Sequence, residues 1–269
     1  MSERRAIFIT GGGSGIGRAV AQLFGAHGWF IGLGDVNEAG MIETESLLPG
    51  GYSYRHMLDV RDRDEWARAL DAFAIASGGR IDVLFNNAGV AFGGAFAGIA
   101  PDEADALIDV NFRGVVNGAM AAYPHLKRAA PGSVLVNTSS AAGIYGTSGM
   151  AVYSATKFAV RGLTEALDGE WECDGIRVCS IMPSFIDTPL LAASSGRNSN
   201  ISMRESVMRA KLEFTPVEEV AEAVWQAVHG TRLHNPVGKT ARKMAFAARW
   251  MPGRIRAQGK WLMRQKPAR

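Results

Sequence analysis

The stretch RAIFITGGGSGIGRAVAQLFGAHG, residues 5–28, limits the possible folds of this chain more than any other. Residues 5–10 are a short apolar, β-rich run, which reads as a buried strand. Ile16, Val20, Leu23 and Phe24 then recur at helical spacing until Gly28. Between strand and helix lies TGGGSGIG, with glycines at 11, 15 and 17 in a GxxxGxG spacing. No register of it fits the plain GxGxxG pattern. Glycines allow a tight turn and a close backbone approach. The helix start behind them offers unpaired N–H groups and a positive dipole end. A strand–glycine turn–helix unit of this kind is a cradle for a pyrophosphate.

The same alternation continues downstream. Apolar runs at 29–34, 81–86, 133–138 and 176–182 predict strands, a further strand is read around 52–57, and 38–48, 62–76, 102–129 and 151–172 predict helices. Near-continuous apolar strands separated by helices predict a parallel sheet covered on both faces. The expected fold class is therefore α/β, doubly wound, in one domain over residues 1–238, followed by a basic extension, 239–269. The segment 184–215 is irregular, is polar at 193–200 and then partly helical, and follows a strand's carboxyl end. Such sheets place ligands there, so it is a candidate lid.

Charge divides near the same boundary. Residues 231–269 carry eleven Lys and Arg and no acid, while residues 1–230 carry all 26 acids against 18 bases. The basic pI describes the tail, and an acidic body argues against nucleic acid as a partner. No apolar run approaches membrane-spanning length, and the N-terminus lacks a signal-peptide core. Cys173 and Cys179 form neither a disulfide framework nor a metal cage, and the five histidines show no ligand pairing. The expectation is a cytoplasmic protein with no metal.

Asp35 ends the second predicted strand, 18 residues beyond Gly17. A carboxylate there can accept from the hydroxyls of an adenosine ribose and would repel a 2′-phosphate. Asp59 ends the third predicted strand. It is either an adenine contact or a helix N-cap. In AVYSATKFAV (151–160), Tyr153 and Lys157 stand four apart, one above the other on a helix face.

Four motifs together, TGGGSGIG (10–17), NNAG (86–89), a serine in NTSSAAG (137–143) and YSATK (153–157), resemble the short-chain dehydrogenase/reductase family over roughly residues 5–230. The resemblance implies seven parallel strands, a nicotinamide cofactor and reversible hydride transfer between carbonyl and alcohol. It implies Tyr153 as general acid/base and Lys157 as the cation that favours its phenolate and holds the nicotinamide ribose. Ser140, 13 positions before Tyr153, matches the family's substrate-binding serine, and Ser139 is a backbone partner. Asn111 matches the asparagine of a water relay to the lysine. The cofactor-binding set is Gly11, Ser14, Gly15, Ile16, Gly17, Asp35, Asp59, Val60, Asn87, Ala88, Gly89, Tyr153, Lys157, Pro183, Ile186 and Thr188. One departure is Ser184, where the family usually has glycine after the sixth strand. It puts the geometry of that loop in question.

The expected cofactor is NAD, and the expected substrate a small hydrophobic secondary alcohol or ketone, steroid-like or aromatic compounds included. Expected substrate contacts are Ser140, Tyr153, Phe92, Tyr145 and Phe185. Further expected walls are Phe96, Ala141, Ile144, Met150, Leu190, Leu191 and Met203. No arginine stands out as a clamp for a carboxylate or phosphate. The rival readings are a 3-ketoacyl-carrier-protein reductase and a non-catalytic dinucleotide sensor. A homo-oligomer, dimer or tetramer, is expected. The tail, with Trp250, Trp261, Leu262 and Met263 among basic residues, either contacts a membrane surface or docks on the body or a neighbouring subunit.

Overall fold

The computed structural model describes residues 4–192, 202–209 and 212–264. The polar stretch 193–200 and the side chains of Trp261, Leu262 and Met263 lie outside the described residues. β1 (Ala6–Thr10) is buried at every residue and runs through the glycine turn into α1 (Gly15–Ala26). β2 (Phe30–Asp35), α2 (Glu38–Ser46), β3 (Ser53–Met57), α3 (Arg63–Ala76) and β4 (Val83–Asn86) follow. Next come α4 (Pro101–Ile108), a π-helical turn (Asp109–Arg113) and α5 (Gly114–Ala129). β5 (Ser133–Thr138), α6 (Ala151–Trp171) and β6 (Ile176–Pro183) complete the predicted elements. Beyond them lie α7 (Pro189–Ala192), α8 (Met203–Arg209), α9 (Val217–His229), β7 (His234–Val237), α10 (Lys239–Trp250) and α11 (Pro252–Arg264).

The seven strands form one parallel sheet in the order β3-β2-β1-β4-β5-β6-β7. The chain winds outward from β1 to β3, then returns to β4 on the other side. The crevice at the carboxyl ends of β1 and β4 is the switch point where such sheets bind ligands. The glycine turn and Asn86–Gly89 border it.

Strand alternation divides the interior into two cores. Ile7 and Ile9 pack with Val20 and Phe24 of α1 and Val220 and Val224 of α9. Phe8, Leu84 and Leu135 pack on the other face with Trp66, Phe73 and Leu126. Burying each such side chain contributes about 1.5–3 kcal/mol. β7 reads HNPV and escaped the sequence reading because it is short and half-buried. Its Pro236 lacks a ladder donor, which an edge strand tolerates.

α3 is capped by Asp62, whose carboxylate accepts from the backbone N–H groups of Asp64 (2.8 Å) and Glu65 (2.9 Å). The N-cap role considered for Asp59 therefore belongs to Asp62. α10 buries Ala241 against Ala141, Ile144 and Met182, with Met244, Ala245 and Ala248 beside it. Phe246 and Trp250 remain 60% and 64% exposed on its outer face. The aromatic stripe shares its face with basic residues because that face is outward; alanines and a methionine make the contact. The tail is thus a docked helical element, joined at Gly238 (φ 86°), where a Cβ would collide with Thr215 Oγ1 and Ser184 Oγ.

Candidate active site

One continuous cavity of about 1360 Å³ runs across the carboxyl ends of the strands. That is larger than one drug-sized ligand requires, so it has room for two adjoining molecules. One end is lined by Gly11, Ser14, Gly15, Ile16, Asp35, Val36, Asp59, Val60 and Arg61. Gly11 and Gly15 have φ of 66° and 51°, a region in which only glycine is unstrained. A Cβ on Gly11 would also come 2.9 Å from Asn87 Nδ2. Gly17 does not line the cavity. Its Cβ position falls on the Gly11 carbonyl, so Gly17 lets the helix start press against the turn.

Asp35 accepts from the Gly13 N–H (2.9 Å) and the Asn37 N–H (3.0 Å), one on each oxygen. The bonds hold the carboxylate at the cavity wall and leave each oxygen room for another donor. Two arginines stand near this end, and carboxylates hold both. Arg18 forks onto Glu43 with two 2.7 Å bonds. Arg61 grips Asp59 through Nε (2.9 and 3.0 Å) and Nη2 (2.5 Å), which holds the Asp59 carboxyl below its ordinary range.

Thr10 fixes the floor, and the sequence reading missed it. Its Oγ1 accepts from the N–H groups of Asn87 (2.9 Å) and Ala88 (3.0 Å), and Asn87 Nδ2 donates to its carbonyl (2.9 Å). A threonine at a strand end carries no signal in sequence; its role depends on β4 lying beside β1. Behind it, Asn86 Nδ2 donates to Asn137 Oδ1 (3.0 Å), and Asn137 Nδ2 donates to Thr164 Oγ1 (3.1 Å).

Ser140, Tyr153 and Lys157 meet midway along the cavity. Tyr153 and Lys157 share one face of α6, with Lys157 Nζ 5.7 Å from the Tyr153 ring centroid. Lys157 donates to the Thr138 carbonyl (2.9 Å) and is 4% exposed. Ser139 Oγ donates to the Lys157 carbonyl (2.9 Å), which makes Ser139 the backbone partner. Ser140 caps the short turn Ala141–Gly143 and hydrogen-bonds the Tyr153 hydroxyl. Burial pushes the Tyr153 phenol above its ordinary value, and the Ser140 bond draws it partly back. Burial also pushes the Lys157 ammonium down to about 8. Lys157 therefore does not by itself bring the phenol toward neutrality, because desolvation opposes both charged forms.

Asn111 is fully buried in the π-helical turn, with Oδ1 accepting from Val90 N–H (2.9 Å) and Nδ2 donating to the Val90 carbonyl (2.8 Å). Its side chain is used in pinning the strand-β4 loop. Ser184 is tied in too: its N–H donates to Val237 (3.2 Å) and its Oγ meets Thr215 Oγ1 (3.3 Å). The loop after β6 thus keeps Pro183, Ile186 and Thr188 on the cavity wall without a glycine.

The other end holds an apolar cluster. Met150, Phe185, Leu191 and Met203 cluster with Ala91 and the Tyr153 ring, and Ala141, Tyr145 and Leu190 also face the cavity. Three expected walls do not. Phe96 lies in a short turn and is 70% exposed, Phe92 is half-buried away from the cavity, and Ile144 packs beneath α10. Their places are taken by Met244, Ala247 and Ile255 from α10 and α11. No group of His, Cys, Asp and Glu among the described residues could hold a metal, and no described helix is long and apolar enough to cross a membrane.

A phosphate-cradling turn at a switch point, joined to a serine–tyrosine–lysine group, defines a dinucleotide-dependent oxidoreductase. The model of the short chain dehydrogenase family matches residues 5–198. The chain belongs to the short-chain dehydrogenase/reductase family. It is 35% identical over 191 residues to the 3-oxoacyl-[acyl-carrier-protein] reductase FabG of Thermotoga maritima, covering 70% of this chain and 76% of that protein. It is 31% identical over 268 residues to the probable oxidoreductase EphD of Mycobacterium tuberculosis, covering 93% of this chain but only 44% of EphD. A Burkholderia phymatum short-chain dehydrogenase/reductase, solved with NAD, superposes with a TM-score of 0.82 at 26% identity, covering 96% of this chain and 97% of that one. The chain is therefore an oxidoreductase that uses a nicotinamide dinucleotide. The cavity fits that group: Gly11 and Gly15 leave the approach open, and Thr138 Oγ1, buried without a hydrogen-bond partner among the described residues, belongs to a lining residue.

Proposed function

We propose that this enzyme interconverts a hydrophobic secondary alcohol and its ketone with NAD(H). The observation that carries this reading is the convergence of Ser140, Tyr153 and Lys157 between the glycine turn and the apolar end. Gly11 to Ile16, Asp35, Asn87 to Gly89, Lys157, Pro183, Ile186 and Thr188 would hold the dinucleotide, which supplies or accepts the hydride. Tyr153 gives its phenolic proton to the carbonyl oxygen as that oxygen becomes a hydroxyl, and takes it back in the reverse direction. Ser140 donates a hydrogen bond to the same oxygen. Lys157 supplies positive charge beside the phenol. A proton relay at Asn111 would use its backbone, since Val90 occupies the side chain. NAD is favoured over NADP because Asp35 stands at the wall while Glu43 and Asp59 neutralise Arg18 and Arg61.

Tyr153→Phe keeps the ring and removes the proton. Turnover should fall by at least about 10²-fold while NADH binding survives. Near-normal turnover in the variant would remove Tyr153 from this role.

Similarity to FabG favours a second reading, a 3-oxoacyl thioester as substrate. Comparing kcat/KM for such a thioester with that for simple ketones separates the two. Exposed Ile108, Met120 and Phe158 on α4, α5 and α6 support a homo-oligomer, which sedimentation would size. On the outer face of α10, exposed Phe246 and Trp250 beside Arg242 and Arg249 favour contact with an anionic membrane surface. Cosedimentation with anionic vesicles at low salt tests it, and no binding there removes it.

A further inference from the structure

α10 and α11 bring Lys239, Lys243, Arg256 and Lys260 into the lining of the cavity, beside Met244, Ala247 and Ile255. A Cβ on Gly259 would lie 3.5 Å from Ser148 Oγ, which sets α11 against the loop that carries Ser140. These cations therefore stand on the substrate side. Among described lining residues the acids are Asp35, Asp59 and Glu213. Asp35 ends β2 and Asp59 follows β3, both at the opposite end, and Glu213 pairs with Lys239 (3.4 Å). Lys243, Arg256 and Lys260 have no ion pair or side-chain hydrogen bond among the described residues, and the tail contains no acid that could neutralise them. Three cations thus line this end of the cavity without a counter-charge among the described residues, and an anion entering there would supply one.

We propose that the substrate is an apolar ketone or alcohol whose far end is an anion, a carboxylate or a phosphate, held by Lys243, Arg256 and Lys260. The reacting oxygen lies at Ser140 and Tyr153, the apolar portion against Phe185, Leu191, Met203, Met244 and Ile255, and the anion at the mouth. Arg256 offers the planar fork that matches either group, and the two lysines add point charges. The sequence showed no such clamp, because only folding brings the tail to the cavity. The inference rests on the hydride-transfer reading for the identity of the reacting group but not for the anion site itself.

The test uses the full chain with a medium-chain oxo fatty acid, its methyl ester and its ω-phosphate analogue. Calorimetric affinity and kcat/KM are both read, for wild type and for the Lys243→Gln/Arg256→Gln/Lys260→Gln variant. The acid should bind about tenfold more tightly than the ester at low salt, since each solvent-facing contact contributes little. That preference should vanish in the triple variant and shrink at about 1 M salt. The ester's affinity should not change. The phosphate analogue binding better than the acid would assign the site to phosphorylated substrates. Equal binding of acid and ester by wild type, a preference that survives the triple substitution, or failure of all three probes to bind overturns the proposal. A binding preference without turnover keeps the anion site and sinks the hydride-transfer reading; turnover without preference does the reverse.

Discussion

Asp35 and Lys157 each combine a structural hydrogen bond with a place on the cavity wall. Asp35 organises the glycine turn through Gly13 and Asn37 and still faces the cavity. A 2′-phosphate against that carboxylate should give a preference for NAD of about 10²-fold, roughly 3 kcal/mol. Asp35→Ala should narrow the ratio of kcat/KM for NAD and NADP; a ratio that does not move removes Asp35 from the choice. Lys157 is held to about 8 by burial, against 10.5 for a free lysine. The folded chain thus binds this proton less tightly than the unfolded one. The penalty is complete below pH 8 and disappears as pH rises to 10.5, because over that window the unfolded state carries more protons. It is worth about 3 kcal/mol. Lys157→Met loses the bond to Thr138, about 1 kcal/mol. The variant should therefore be more stable than the cofactor-free wild type at pH 7 and less stable near pH 10.5. Urea unfolding at the two values checks the crossover.

Among the elements, α10 was the least legible. Its docking face is Ala241, Met244, Ala245 and Ala248, small residues that periodicity does not separate from a solvated helix. The contact becomes recognisable only with Ala141, Ile144 and Met182 opposite it. Ala241→Glu puts a carboxylate into that contact, where it has no partner, at a cost of about 1–3 kcal/mol. Melting temperature should fall by roughly 3–10 °C. NADH affinity should hold, since the turn end of the cavity lies away from α10. An unchanged melting temperature would show that the tail does not dock there. By contrast, the long helix predicted over 102–129 was right in extent but not in regularity. The π turn at Asp109–Arg113 swings Asn111 inward to Val90, and that depends on the neighbouring loop.

For the whole molecule, a ligand that binds only the folded state stabilises it by mass action. NADH at about 100 times its Kd should add about 2.7 kcal/mol and raise the melting temperature by roughly 5–10 °C. NADPH at the same concentration should raise it much less. Equal shifts would contradict the selectivity assigned to Asp35.

The doubly wound sheet, six of its strands, the glycine turn and the Tyr153–Lys157 pair are legible in the sequence. These are local patterns: strand and helix periods, a turn that only glycine tolerates, and two side chains one helical turn apart. Only the folded chain shows that Thr10 pins Asn87, that Asp62 rather than Asp59 caps α3, and that Phe92, Phe96 and Ile144 leave the pocket to the tail. Each of these depends on residues far apart in the chain meeting across the sheet or at its carboxyl edge. The same holds for proton affinity at the site. The family resemblance implies an activated phenol, but burial, which a linear sequence does not display, raises the phenol and lowers the lysine.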